Sequence, residues 1–243
     1  MVKVVPLGGE VDWPNDEGVL GVVGVAPWAT IEFLNCFYSQ VAATKDWNYP
    51  QILIDINTKI PSRGRHFDLG EPDPSPTIKA TIQELRDSGA TAVVVACNTA
   101  HLLFERWSKV DGIHVLNIFA AVAHDLDRKG SRVATVLSSF NLWKAAAYET
   151  YLSEVGTRYE SLTEKDASRV AEVIESVKRT STITEKDHQF LTELGKSLRN
   201  QGVDTVILGC TELSQCKEIF ESRGLICVDS NEALAIEAMT AIS

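Results

Sequence analysis

The residues best able to do chemistry in this 243-residue chain are its five cysteines, at positions 36, 97, 210, 216 and 227. The count is odd, no CxxC pair occurs, and the opening stretch MVKVVPLGGEVDWPNDEG lacks the apolar core and cleavage site of an export signal. That pattern argues against a disulfide framework and for a reducing, cytoplasmic setting. Two of the five stand apart. Cys97 opens the string CNTAH and Cys210 opens CTEL, each just after an apolar run that reads as a buried strand. Such a thiol lies at the carboxyl end of a parallel strand and at the start of the next helix. Ligands of open α/β sheets bind there, the helix dipole favours anions, and a thiol pKa falls below its usual ~8.5. Singly, either cysteine reads as well as strand filler, because cysteine is among the most often buried residues. As a matched pair they read as two acid/base groups. A thiolate on one side of a carbon and a thiol on the other can invert a stereocentre, and the roles exchange in the reverse direction.

The elements that must position this pair form a repeat. LRDSGATAVVVAC (85–97) lies over LRNQGVDTVILGC (198–210) at an offset of 113 residues, and the same offset lays the apolar run 19–25 over 132–138. Periodicity predicts strands at 19–25, 51–57, 91–97, 114–118, 132–138, 205–210 and 225–228, with a weaker one near 159–162. Helices are expected at 29–44, 77–88, 100–109, 119–129, 142–155, 166–179, 184–200 and 231–241, and 60–76 is expected as a loop. Continuous Val/Ile/Leu strands between helices mean parallel sheets covered on both faces, an α/β chain of two similar units.

Composition narrows the partners. The chain is 44% hydrophobic and 23% charged, with 23 Lys+Arg against 33 Asp+Glu for a net charge of −10. It is therefore globular, a poor partner for nucleic acid or an anionic membrane, and has no apolar run of ~20 residues. The five histidines lack metal-ligand spacing and there is no phosphate-binding glycine loop, so neither metal nor cofactor is expected. Cys36, Cys216 and Cys227 read as packing or surface thiols, and His101 reads as capping or packing with a possible influence on Cys97.

The paired motifs CNTAH and GCTEL resemble the cofactor-independent aspartate/glutamate racemase superfamily, and most closely its aspartate racemase branch. The resemblance covers most of residues 19–243. It implies two Rossmann-like parallel-sheet domains related by pseudo-two-fold symmetry with the active site in a cleft between them. The expected division is a leader at 1–18, a first domain of 19–115 plus 222–243, and a second of 116–221. It implies a homodimer acting on a small acidic amino acid, with Cys97 and Cys210 catalytic. Asn57–Arg63 is similar to the family's NxPxIPDR segment, which nominates Arg63 for a substrate carboxylate, and the 173–178 stretch VIESVK nominates Lys178. Asn98, Thr99, Thr211 and Glu212, with Ser138, complete the implied substrate-binding set. Val23 and Ala26 stand where the family has glycines, and Ser62 where it has aspartate. Rival readings are a glutamate or broad-specificity acidic amino-acid racemase, a hydantoin racemase, a maleate isomerase, or a two-domain binding protein for an acidic metabolite.

Overall fold

The computed structural model describes residues 17–41, 43 and 45–243. Most of the leader at 1–18 lies outside the described residues, as do 42 and 44 of the helix expected at 29–44. The chain divides into two compact units, one running through Ile118 and taking in Leu234–Ser243, the other Phe119–Ala233.

In the first unit the order is β1 (Leu20–Val23), α1 (Pro27–Ser39), β2 (Ile52–Asp55), α2 (Arg63–Leu69), α3 (Ser75–Asp87), β3 (Ala92–Val95), α4 (Asn98–His101), α5 (Phe104–Trp107) and β4 (His114–Val115). Then come α6 (Ile118–Lys129), β5 (Val133–Leu137), α7 (Phe140–Lys144), α8 (Glu149–Glu154), β6 (Arg158–Tyr159), α9 (Glu164–Thr180), α10 (Glu185–Asn200) and β7 (Thr205–Leu208). A 3-10 turn over Thr211–Cys216, α11 (Lys217–Glu221), β8 (Ile226–Asp229) and α12 (Ser230–Ile242) follow. The sheets are ordered β2-β1-β3-β4 and β6-β5-β7-β8, and every pairing is parallel. This is the expected α/β class with two four-stranded parallel sheets.

The offset of 113 carries β3 (92–95) onto β7 (205–208) and β1 (20–23) into β5 (133–137). Both sheets therefore repeat one plan. The inner strands β1, β3 and β7 are buried along their whole length, as Val/Ile/Leu strands covered on both faces must be. Val23, Val93 and Val95 pack with Ile78, Ile82 and Leu85 of α3 in the first unit. Val206 and Leu208 pack with Val173, Ile174 and Val177 of α9 and Leu191, Leu194 and Leu198 of α10 in the second.

Several expectations need correction. The 60–76 stretch holds helix α2, started by the Ser62 side chain accepting from Arg65 N and stopped by Gly70 at φ 66°, a left-handed conformation that glycine adopts freely. The helix expected at 100–109 is two short helices. The Ala100 carbonyl is taken by Leu103 N at 3.0 Å and by Trp107 Nε1 at 3.1 Å, which tightens the turn and ends α4. The helix expected at 142–155 breaks at Ala146, whose φ of 45° is left-handed. The last strand, expected with the first domain, pairs with β7 through Thr205↔Ile226 to Leu208↔Asp229 and completes the second sheet. Of α12, the stretch from Leu234 onward belongs to the first unit.

Candidate active site

Cys97 and Cys210 occupy the same place in the two units. Each follows the third strand of its sheet plan and serves as N-cap of a short helical turn, with φ −156° and ψ 107° at Cys97 and φ −155° and ψ 137° at Cys210. Both backbones are extended while the next residue turns helical, so each side chain stands at the carboxyl end of its strand. Both thiols are partly exposed and reduced.

In the first unit, Val23 and Val95 are paired on adjacent strands, so Val25 and Cys97 each lie two residues beyond a matched strand end. Arg63 reaches this edge. Its Nη2 donates to the Val25 carbonyl and its Nη1 to the Pro61 carbonyl, both at 3.2 Å. Two bonds orient the planar guanidinium at this edge. Ser62 uses its side chain as the cap of α2, which an aspartate would do equally well. Val23 is fully buried in the core, and Ala26 is the N-cap of α1. Gly24 is required between them, since a Cβ there would lie 2.7 Å from Thr30 Oγ1 and 3.0 Å from Ile56 Cα. Asn98 is buried and Thr99 partly so in the turn that Cys97 opens.

His101 belongs to the packing of this turn. Its Nδ1 lies 2.9 Å from the Cys97 carbonyl, and its ring stacks on Phe104 at 5.5 Å and meets Trp107 edge-on at 5.1 Å. Burial pushes its pKa down to about 4 against the opposing backbone contacts with Cys97 and Leu116. The ring is neutral at physiological pH and anchors the Cys97 backbone.

In the second unit, Leu137 and Leu208 are paired, so Ser138 stands beside Gly209, just ahead of Cys210. A Cβ on Gly209 would meet Val136 Cγ1 at 3.1 Å, the Leu137 carbonyl at 3.2 Å and Ser138 Cβ at 3.3 Å. Glycine here lets the chain carry Cys210 close past the end of β5. Ser138 is buried and its Oγ donates to the Ser139 carbonyl. The Cys210 thiol donates to Glu212 Oε2 at 2.9 Å, and Thr211 Oγ1 donates to the same oxygen at 3.0 Å. Lys178, in the last turn of α9, bonds Glu175 at 2.7 Å. Desolvation works against its charge, but the Glu175 bond and the charges of Glu212, Glu175 and, once ionised, Cys210 outweigh it and raise its pKa. The structure thus brings Cys210, Thr211, Glu212 and Lys178 into one electrostatic neighbourhood.

Two residues join this neighbourhood that sequence reasoning missed. Tyr148 is buried, and burial together with the charges of Asp229 and Cys210 pushes its hydroxyl pKa well up. Asp229 ends β8, is buried, and accepts from Asn231 N at 2.8 Å. Its position at the end of the last strand was a legible signal, whereas nothing in the local pattern marks Tyr148. Along α9 and α10 a separate groove is lined by Lys165, Arg169, Glu172, Phe190 and Glu193. It contains none of the nominated residues, and Arg169 is already held by Asp187 at 2.6 Å.

Among the described residues no group of three His, Cys, Asp or Glu side chains is placed to hold a metal ion, and no helix is long and apolar enough to cross a membrane.

Known proteins share this architecture. Aspartate racemase from Picrophilus torridus superposes with a TM-score of 0.79 at 24% identity, covering 93% of this chain and 94% of that one. An aspartate racemase homologue from Pyrococcus horikoshii OT3 gives 0.75 at 20% identity over 92% and 98%. At these identities the likeness is one of fold. In sequence, glutamate racemase from Listeria monocytogenes is 30% identical over 167 residues, 63% of this chain and 58% of that protein. The glutamate racemase of Desulforudis audaxviator is 30% identical over 142 residues, and the match spans half its length. The sequence model described as Asp/Glu/Hydantoin racemase matches residues 21–238, nearly the whole chain. The chain belongs to the Asp/Glu/hydantoin racemase family.

Proposed function

We propose that this protein is a cofactor-independent racemase that interconverts L- and D-aspartate by proton transfer between Cys97 and Cys210. The observation that carries the reading is the pair itself, two partly exposed thiols on matching N-cap positions after equivalent strands of two repeated units. Inversion needs a base on one face of the α-carbon and an acid on the other. Cys210 as thiolate takes the α-proton of the L-enantiomer, and the Cys97 thiol delivers a proton to the opposite face. The products are D-aspartate, a Cys210 thiol and a Cys97 thiolate, so protons and charge balance. The D-enantiomer runs the same steps in reverse.

Removing a proton next to a carboxylate builds negative charge that the site must hold. Arg63 and Lys178 are the cations for the substrate carboxylates. Asn98, Thr99 and Thr211 supply hydroxyl, amide and backbone donors, with Ser138 and Glu212 bordering the second thiol. The structural likeness to aspartate racemases supports aspartate. A second reading, glutamate, is favoured by the curated relatives, which are glutamate racemases. The working protein is proposed to be a cytoplasmic homodimer. All nine large hydrophobic side chains with high exposure among the described residues, from Trp28 to Leu69, belong to the first unit, and a second copy would cover them.

The test is incubation with L-aspartate, and separately L-glutamate, in D₂O without added cofactor, followed by circular dichroism and mass spectrometry. D-aspartate carrying one α-deuterium is expected. Absence of inversion and exchange with both substrates would overturn the assignment, and unchanged racemisation by Cys97→Ser or Cys210→Ser would overturn the mechanism.

A further inference from the structure

The two halves differ at one position that the repeat makes comparable. Two residues after Cys97 stands Thr99, whereas two residues after Cys210 stands Glu212. The difference is in contact with the chemistry, because the Cys210 thiol donates to Glu212 Oε2 at 2.9 Å. That oxygen also accepts from Thr211 Oγ1 at 3.0 Å, so the carboxylate is oriented toward the sulfur from a second side. A carboxylate accepting from a thiol stabilises the thiol twice over. It keeps an S–H···O⁻ bond that ionisation would destroy, and it would face the thiolate as a like charge.

We infer that Glu212 is a positioning residue that holds Cys210 in its protonated form in the resting enzyme. This rests on the cysteine-pair reading above and adds to it an order of events. With the proton held on Cys210, the sulfur left to act as base is that of Cys97, and the resting enzyme is set to take the α-proton of the D-enantiomer. The Cys210 thiol then delivers its proton and becomes a thiolate beside a carboxylate, the less stable arrangement. It returns to rest by taking the α-proton of an L-substrate while Cys97 donates its own, or by exchange with solvent in which Cys97 gives a proton to water and Cys210 takes one from it. In each step one proton leaves one sulfur or carbon and one arrives, and no other reactant is needed.

The groups facing Cys210 from the elements around it decide whether Glu212 dominates. Lys178 of α9 opposes it by attracting a thiolate, and its ammonium is also bonded to Glu175 at 2.7 Å. Tyr148 is neutral at working pH, and the buried Asp229 adds negative charge to the same neighbourhood. Glu212 accepts directly from the sulfur at 2.9 Å.

The experiment is site-resolved alkylation. Wild-type protein, Glu212→Gln and Glu212→Asp are treated with iodoacetamide across a pH series, and the peptides holding Cys97 and Cys210 are quantified by mass spectrometry. Glutamine keeps the size and an oxygen acceptor but removes the charge. Its Cys210 profile is expected to move down by about one pH unit, a roughly tenfold faster reaction near neutrality. The Cys97 profile should stay in place, which shows that the fold survived, and Glu212→Asp should retain the wild-type direction. A Cys210 profile in Glu212→Gln that coincides with wild type, or moves up, overturns the inference. The readout does not depend on turnover. A shifted profile in a protein that racemises nothing would sink the proposed function and leave this pairing standing, and the converse result would do the reverse.

Discussion

His101 provides a measurement of how the Cys97 turn is built. The ring is 3% exposed, packed between Phe104 and Trp107, with Nδ1 against the Cys97 carbonyl. Burial takes its pKa from 6.5 to about 4, and at 1.36 kcal/mol per unit that is a linkage of about 3 kcal/mol. The sign follows from which state holds the proton. Between the two values the unfolded chain binds a proton at His101 and the folded one does not. Stability is therefore fully present above pH ~6.5 and is lost as pH falls toward about 4. By pH 5 about 2 kcal/mol of the total is gone. The perturbation is His101→Gln, which cannot titrate, and the assay is urea unfolding followed by circular dichroism at about pH 7.5 and pH 5. Every other titrating group is shared, so the wild-type loss between the two pH values should exceed that of the variant by about 2 kcal/mol. A difference below about 0.5 kcal/mol would refute the reasoning, since it would mean the imidazole is protonated in the folded protein at little cost.

Gly209→Ala places a methyl 3.1 Å from Val136 Cγ1 and 3.2 Å from the Leu137 carbonyl. It should cost about 1–3 kcal/mol in urea unfolding and lower racemisation through displacement of Cys210, whereas an unaltered denaturation midpoint would show that the close approach of β5 is not needed. Burial raises the thiols of Cys216 and Cys227 to about 12. Native protein at neutral pH should leave both unalkylated by iodoacetamide under conditions that modify Cys97, and their early labelling by mass spectrometry would contradict the buried placement.

The sequence by itself determined the strands and the pair. Runs such as AVVVAC and TVILGC hold apolar residues at every position, and only a strand covered on both faces can bury such a run. Because the run recurs at 113 residues with cysteine in register, the two N-cap thiols were legible before any coordinate. Helix ends were less so. The Ser62 cap and Gly70 stop of α2 were written in a stretch of proline and charge that masks them, and α4 ends where Trp107, seven residues on, takes the Ala100 carbonyl.

What tertiary structure decided is what depends on distance through space. β8 joins the second sheet because its backbone lies in register with β7, a pairing made across the intervening 3-10 turn and α11 that residue types alone do not assign. Glu212 could be nominated from its place in CTEL, but its carboxylate on the Cys210 sulfur follows from rotamers that a motif does not encode. His101 became neutral because folding removed water from it, and Tyr148 came beside Cys210 because packing placed it there. Desolvation and Coulomb interaction act between residues wherever the fold brings them, so residue types and spacing can name the groups that react while only their packing sets how strongly each holds its proton.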